Sequence, residues 1–140
     1  MVIIEDANVK LEFLPEIPCI IWKPLTFLSG DTWRKPFVTG MNFMEERIKA
    51  IPNLGWINDA RLLKVVKPDD LMWLNTNVND RAYRFGAKKV AFVLPESAFG
   101  KVAVKFYVDF TNKRTDNRFQ IKAFITLDEA QKWIQSEEAK

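Results

Sequence analysis

Histidine is absent from the 140 residues, and cysteine occurs once, as Cys19. The first absence removes Ser-His-Asp and Cys-His nucleophile pairs, imidazole general bases and His-ligated metals. The second excludes an internal disulfide framework and any multi-Cys zinc cage. What remains for an enzyme is carboxylates, Lys, Tyr or a borrowed cofactor. Long apolar runs are also missing. The stretch 90–94 is among the longest, far short of the roughly 20 residues that cross a bilayer, so no membrane span is expected. Residues 1–8 carry Glu5 and Asp6 where a secretory leader needs a basic start and an apolar stretch, so a cytoplasmic location is expected. Excess charge of one sign is scarce too: 21 Lys and Arg against 18 Asp and Glu leave +3. That balance is too even for a nucleic-acid surface.

What the chain has in quantity is apolar and aromatic. Hydrophobic residues make up 48%, with five Trp and eleven Phe, enough for one core in one domain spanning 1–140. The polar tail 136–140 is expected to fray. Val9, Leu11 and Phe13 alternate with Lys10 and Glu12, the period-two pattern of a half-buried strand. Pro15 and Pro18 end it, and the short apolar run 19–22 then reads as a second, buried strand closing an antiparallel hairpin. Over 29–51, Trp33, Phe37, Met41, Met44, Ile48 and Ile51 recur at three- and four-residue steps, which predicts an amphipathic helix. Pro36 and Gly40 are its weak points, so its first third is expected to bend.

Residues 56–60 read as a short strand, followed by a loop over 61–67. Pro68 at a first helical position, acids behind it, and a stripe of Leu71, Leu74, Val78, Ala82 and Phe85 predict a helix that Gly86 stops. The run 88–94 reads as a central parallel strand. Residues 99–110 suit two periods: Val102, Val104, Phe106, Val108 and Phe110 alternate, while Phe99, Val102, Ala103, Phe106 and Phe110 form a helical stripe. A helix is chosen because a parallel pair needs a crossover. Residues 119–125 form the last strand. Thr126 with Glu129 three residues on is a capping box, starting a final helix docked by Ala130, Trp133 and Ile134. The expected fold class is therefore α/β: a five-stranded, mostly parallel sheet with an antiparallel N-terminal edge strand and about four helices.

Several runs are familiar together: Trp22-Lys23 ahead of a long helix; Gly55-Trp56-Ile57-Asn58-Asp59-Ala60-Arg61; Val65-Val66-Lys67-Pro68-Asp69-Asp70-Leu71-Met72-Trp73; the stretch 86–95; and Phe124 to Trp133 with Asp128-Glu129-Ala130. Over roughly residues 9–135 the chain resembles the bacterial SpoIIAA-like proteins, a branch near the STAS domains that shares a general fold with the CRAL-TRIO lipid-binding domains. The resemblance implies successive βα turns with an antiparallel edge strand and a generally non-catalytic role. STAS relatives act as anti-sigma-factor antagonists or regulatory modules, switched by phosphorylation of a Ser or Thr after the third strand. Aligned on Asp59, that position is held by Ala60 and Arg61, so the switch hydroxyl is lacking.

Candidate sites are few. Asp59 ends a predicted strand where open α/β sheets bind ligands, and a cap or an ion pair with Arg61 is its simpler role. Asp69 and Asp70 complement the helix dipole rather than converge as an acid-base pair. Cys19, inside an apolar strand, reads as a small hydrophobe. Lys88, Lys89, Arg81, Arg84, Lys113, Arg114 and Arg118 are candidates for a basic patch facing anionic lipid or phosphate, against a default of scattered charge. Trp33, Phe37, Met41 and Met44 of the 29–51 helix, with Phe43, span more than one face, which suits core, subunit contact or an apolar ligand. The expected function is a non-catalytic regulatory or protein-interaction module with an unknown protein partner, working as a homodimer. The alternative is a carrier or sensor of a lipid or other apolar small molecule held between that helix and the sheet. No cofactor and no metal is called for.

Overall fold

The computed structural model describes residues 1–114 and 118–136. Strands β1 (Val2–Glu5), β2 (Val9–Leu14) and β3 (Cys19–Pro24) form an antiparallel meander, and β4 (Gly55–Asp59), β5 (Lys89–Val93) and β6 (Gln120–Phe124) extend it in parallel. The sheet thus has six strands in the order β1-β2-β3-β4-β5-β6, one more than the sequence suggested. The addition is β1, a four-residue edge strand. Asp6 Oδ1 accepts from the N–H groups of Asn8 and Val9 (2.8 and 2.9 Å) and turns the chain back from β1 into β2.

Because strands β3 to β6 are neighbours in chain order, right-handed crossovers put every connecting helix on one face. Helix α1 (Asp31–Arg47) joins β3 to β4. The next connection is a continuous rod of α2 (Pro68–Trp73), a π-helical segment (Leu74–Asn79) and α3 (Asp80–Phe85), and α4 (Ala98–Arg114) joins β5 to β6. Among the described residues, only α5 (Leu127–Gln135), which follows the last strand, covers the opposite face. Alternate residues of each strand feed the two cores. Leu11, Ile20, Trp22, Trp56, Val90 and Phe92 face the three rods. Cys19, Ile21, Ile57, Ala91 and Val93 face Ala130, Trp133 and Ile134 of α5.

Several details depart from the pattern read in the chain. Helix α1 runs without a break through Pro36. Gly40 is the point of closest approach rather than a weak point: a Cβ there would lie 2.3 Å from Cη2 of Trp56, so only glycine lets α1 sit this low on the sheet. Residues 99–110 are helical, within α4, but the stripe that marked the helix is not the one it buries. Val104, Tyr107, Val108 and Thr111 face inward, while Phe99, Val102 and Phe106 are 89%, 70% and 73% exposed.

Lys89 is not part of a surface patch. It is buried, and its ammonium donates to the carbonyl of Trp133 (2.7 Å) and to Ser136 Oγ (3.1 Å), meeting the negative end of the α5 dipole. Ser136 is thereby held, and residues 137–140 of the expected frayed tail lie outside the described residues. Arg81 pairs with Glu45 (2.7 Å) and donates to Asn42 (2.7 Å), and Arg118 donates to the Tyr83 hydroxyl. Arg81, Lys89 and Arg118 thus serve separate contacts. The capping box is present as read, with Glu129 N–H donating to Thr126 Oγ1 (3.2 Å) and Thr126 N–H to Glu129 Oε1 (3.3 Å).

Candidate functional site

Asp59 closes β4 at the carboxyl edge of the parallel strands, and its side chain is 1% exposed. Arg61, two residues on, bends back so that Nε donates to Oδ1 and Nη2 to Oδ2, both at 2.8 Å. This bidentate bridge occupies both carboxylate oxygens. The bond to Asp59 raises the Arg61 pKa, against a smaller opposing effect of burial, and Glu96 adds to the rise. The pair tethers the start of the 61–67 loop, as the sequence allowed, and occupies both oxygens of Asp59.

Cys19 is fully buried at the start of β3, and burial pushes its thiol up to about 12, with Glu16 and Glu12 adding to the rise. A thiol so held is protonated at neutral pH and is not a nucleophile. Asp70 is also buried, and its Oδ2 has no hydrogen-bond partner. The carboxylate of α2 that sequence treated as a surface complement to the helix dipole therefore lies inside. Asp69 remains exposed, so the two acids diverge as expected of neighbours on a helix.

The α1 residues singled out in sequence, Trp33, Phe37, Met41 and Met44, are at most 2% exposed. Phe37 stands at the centre of an aromatic cluster with Trp22, Trp33, Trp56 and Trp73, at ring-centroid distances of 4.5 to 6.4 Å. The space left between Phe37, Met41, Met44 and the sheet is about 10 Å³, room for at most one water. An acyl chain does not fit there, and these side chains are not available to a second subunit. Their role is core.

A buried polar seam lies between the π-helical segment and α4, and sequence reading missed it. Asn79 Nδ2 donates to the Tyr107 hydroxyl (2.5 Å) and Thr111 Oγ1 to Asn75 Oδ1 (3.4 Å). Trp56 Nε1 donates to Asn58 Oδ1 (2.6 Å) nearby, and Asn79 and Asn58 both line the small cavity. The available signal was Asn75 and Asn79, four apart on the stripe that buries Leu74 and Val78. On the edge strand β6, Asn112 donates to the Ile121 carbonyl (2.8 Å) and accepts its N–H (3.0 Å). That side chain blocks the free edge against pairing with another strand.

A further surface feature is the outer side of α4. Phe99, Val102, Phe106 and Phe110 recur along about 16 Å of helix, and the Phe106 and Phe110 rings lie parallel to within 7°. Ser97 Oγ, just before the helix, donates to the Lys64 carbonyl (3.2 Å). That bond ties the 61–67 loop, with its exposed Leu62 and Val65, to the N-terminal end of α4. No protein-family model, curated protein or solved structure matches this chain. No helix of the described residues is long and apolar enough to cross a membrane.

Proposed function

We propose that the chain is a cytoplasmic, non-catalytic interaction module that works by contact at the outer face of α4. The observation that carries this reading is the exposure of three large apolar side chains, Phe99, Val102 and Phe106, on one side of one helix. Contiguous exposed apolar surface is costly in water and marks a contact site. The chemistry-bearing groups support the same reading. Asp59 is occupied by Arg61, Cys19 is buried and protonated, and no histidine is available.

Kinship with the SpoIIAA-like proteins, also proposed, rests on the quoted motifs, and the run of successive βα turns is in keeping with it. A regulatory role would run without phosphorylation after Asp59, since Ala60 and Arg61 offer no hydroxyl.

The test is the fluorescence of anilinonaphthalene sulfonate with the folded protein. The native chain is expected to bind the dye, and Phe99→Ser with Phe106→Ser is expected to remove most of the signal at unchanged circular dichroism. Equal fluorescence from both proteins overturns the α4 assignment. Turnover of an esterase, phosphatase or peptidase substrate by the metal-free protein overturns the non-catalytic one.

A further inference from the structure

Two exposed rows run along α4. Phe99, Val102, Phe106 and Phe110 form the apolar row. Lys101, Lys105 and Asp109, each four residues from the next, follow one flank of it, with Asp109 closest to the apolar row and Lys101 furthest round the helix. That flank is basic toward its N-terminal end and acidic toward its C-terminal end. Leu62 and Val65 of the tied loop add to the apolar row at the N-terminal end of α4. These six apolar side chains range from 37% (Phe110) to 89% (Phe99) exposed. With about 150–250 Å² for each aromatic side chain, they offer roughly 600–700 Å² per copy. That is more than the few hundred Å² usual for a patch on a monomer, and with its polar margin it comes near the roughly 800 Å² that each partner gives to a stable interface.

We propose that this face receives a second copy of the chain, with the two α4 helices antiparallel about a two-fold axis beside Lys105. The proposal rests on the reading of α4 as the contact face and names its partner. A two-fold axis perpendicular to the helices brings the same flank of both copies together in opposite directions, so every contact between two different positions occurs twice. The apolar and the charged row call for the same axis. Setting Phe99 opposite Phe110 and Val102 opposite Phe106 places it at the level of Val104 and Lys105, and setting Lys101 opposite Asp109 places it at Lys105. Lysine, the longer side chain and the one set further round the helix, has the reach to meet a short carboxylate close to the seam. Lys105 meets its own copy beside the axis, where its stem carries the ammonium out to water. Parallel helices would bring unlike flanks together and pair neither charge.

Sedimentation equilibrium over a range of protein concentrations tests it. The native chain is expected to pass from monomer to dimer as concentration rises, and anilinonaphthalene sulfonate fluorescence per chain should fall in step, because the second copy covers the face that the dye occupies on the monomer. Phe99→Ser with Phe106→Ser should remain a monomer with an unchanged circular dichroism spectrum. Asp109→Lys should weaken association about tenfold, since it turns two attractive pairs into repulsive ones. Adding Lys101→Asp to that variant restores opposite charges at both places and should recover the native affinity.

A native chain that stays monomeric at every concentration overturns the proposal; if its dye fluorescence is still lost in the serine pair, α4 stands as the contact face for a different partner. A dimer that survives the serine pair overturns it too, by placing the interface elsewhere. A dimer indifferent to Asp109→Lys, or one that Lys101→Asp does not rescue, overturns the antiparallel pairing. If the serine pair changes neither dye fluorescence nor association, the contact-face reading falls as well.

Discussion

At the scale of single residues, burial decides which partner of an ion pair matters more. Asp59 is enclosed, while the Arg61 side chain is 39% exposed. Removing the arginine strands a carboxylate inside the protein, whereas neutralising the carboxylate leaves a guanidinium that water can solvate. Arg61→Ala is therefore expected to lower stability by about 1–3 kcal/mol and Asp59→Asn by less. Urea melts of the two variants check the order, and the reverse order would mean that Asp59 reaches water. The pair itself was legible in the chain, because two residues of opposite charge separated by one position at a strand end have few other places to go. The burial of Lys89 was not. A lysine at the entry of a strand reads as solvated until the carboxyl end of α5, more than forty residues away, supplies carbonyls for its ammonium.

At the scale of elements, helix contact depends on what each position leaves room for. Gly40 admits the Trp56 ring under α1, and a methyl group there would overlap Cη2 and Cζ3, at 2.3 and 2.7 Å. Both are atoms of a ring already enclosed by Phe37, so it has little freedom to move aside. Gly40→Ala is expected to destabilise by about 1–3 kcal/mol, in spite of alanine's better helix propensity. Thermal melts of the variant test this, and a gain in stability would show that α1 can lift off the sheet at small cost. The same contact explains why Gly40, read as a weak point, stands in an unbroken α1. Propensity is a weak local preference, and packing of an aromatic face outweighs it.

Over the whole molecule, two phenylalanines on helices that cover the same face of the sheet should behave oppositely. Phe37 touches four aromatic rings and is buried, whereas Phe106 is largely in solvent. Phe37→Asp puts an unpaired charge into the core and should prevent folding. Phe106→Asp should leave the melting temperature within a few degrees of the native value, about the shift of a surface substitution. Circular dichroism melts of both variants decide it. A folded Phe37→Asp protein would mean that the aromatic cluster can open to water.

The sequence by itself determined the alternation of strands and helices, the antiparallel hairpin, the capping box at Thr126 and the aromatic character of the core. Those features depend on residues close together in the chain, where periodicity, turn chemistry and capping act. Tertiary structure alone decided which of two apolar stripes on α4 faces the sheet, because Phe99-Val102-Phe106-Phe110 and Val104-Tyr107-Val108-Thr111 both fit a helical period. The inner position went to the second set, where Tyr107 and Thr111 meet the polar atoms of Asn79 and Asn75. The same holds for α1, whose surplus of aromatic and methionine side chains could not be assigned to core or surface until Trp22, Trp56 and Trp73 arrived from three other elements to enclose them. Periodicity measures the angle between side chains on one helix, and only the elements packed against that helix determine which angle is inside.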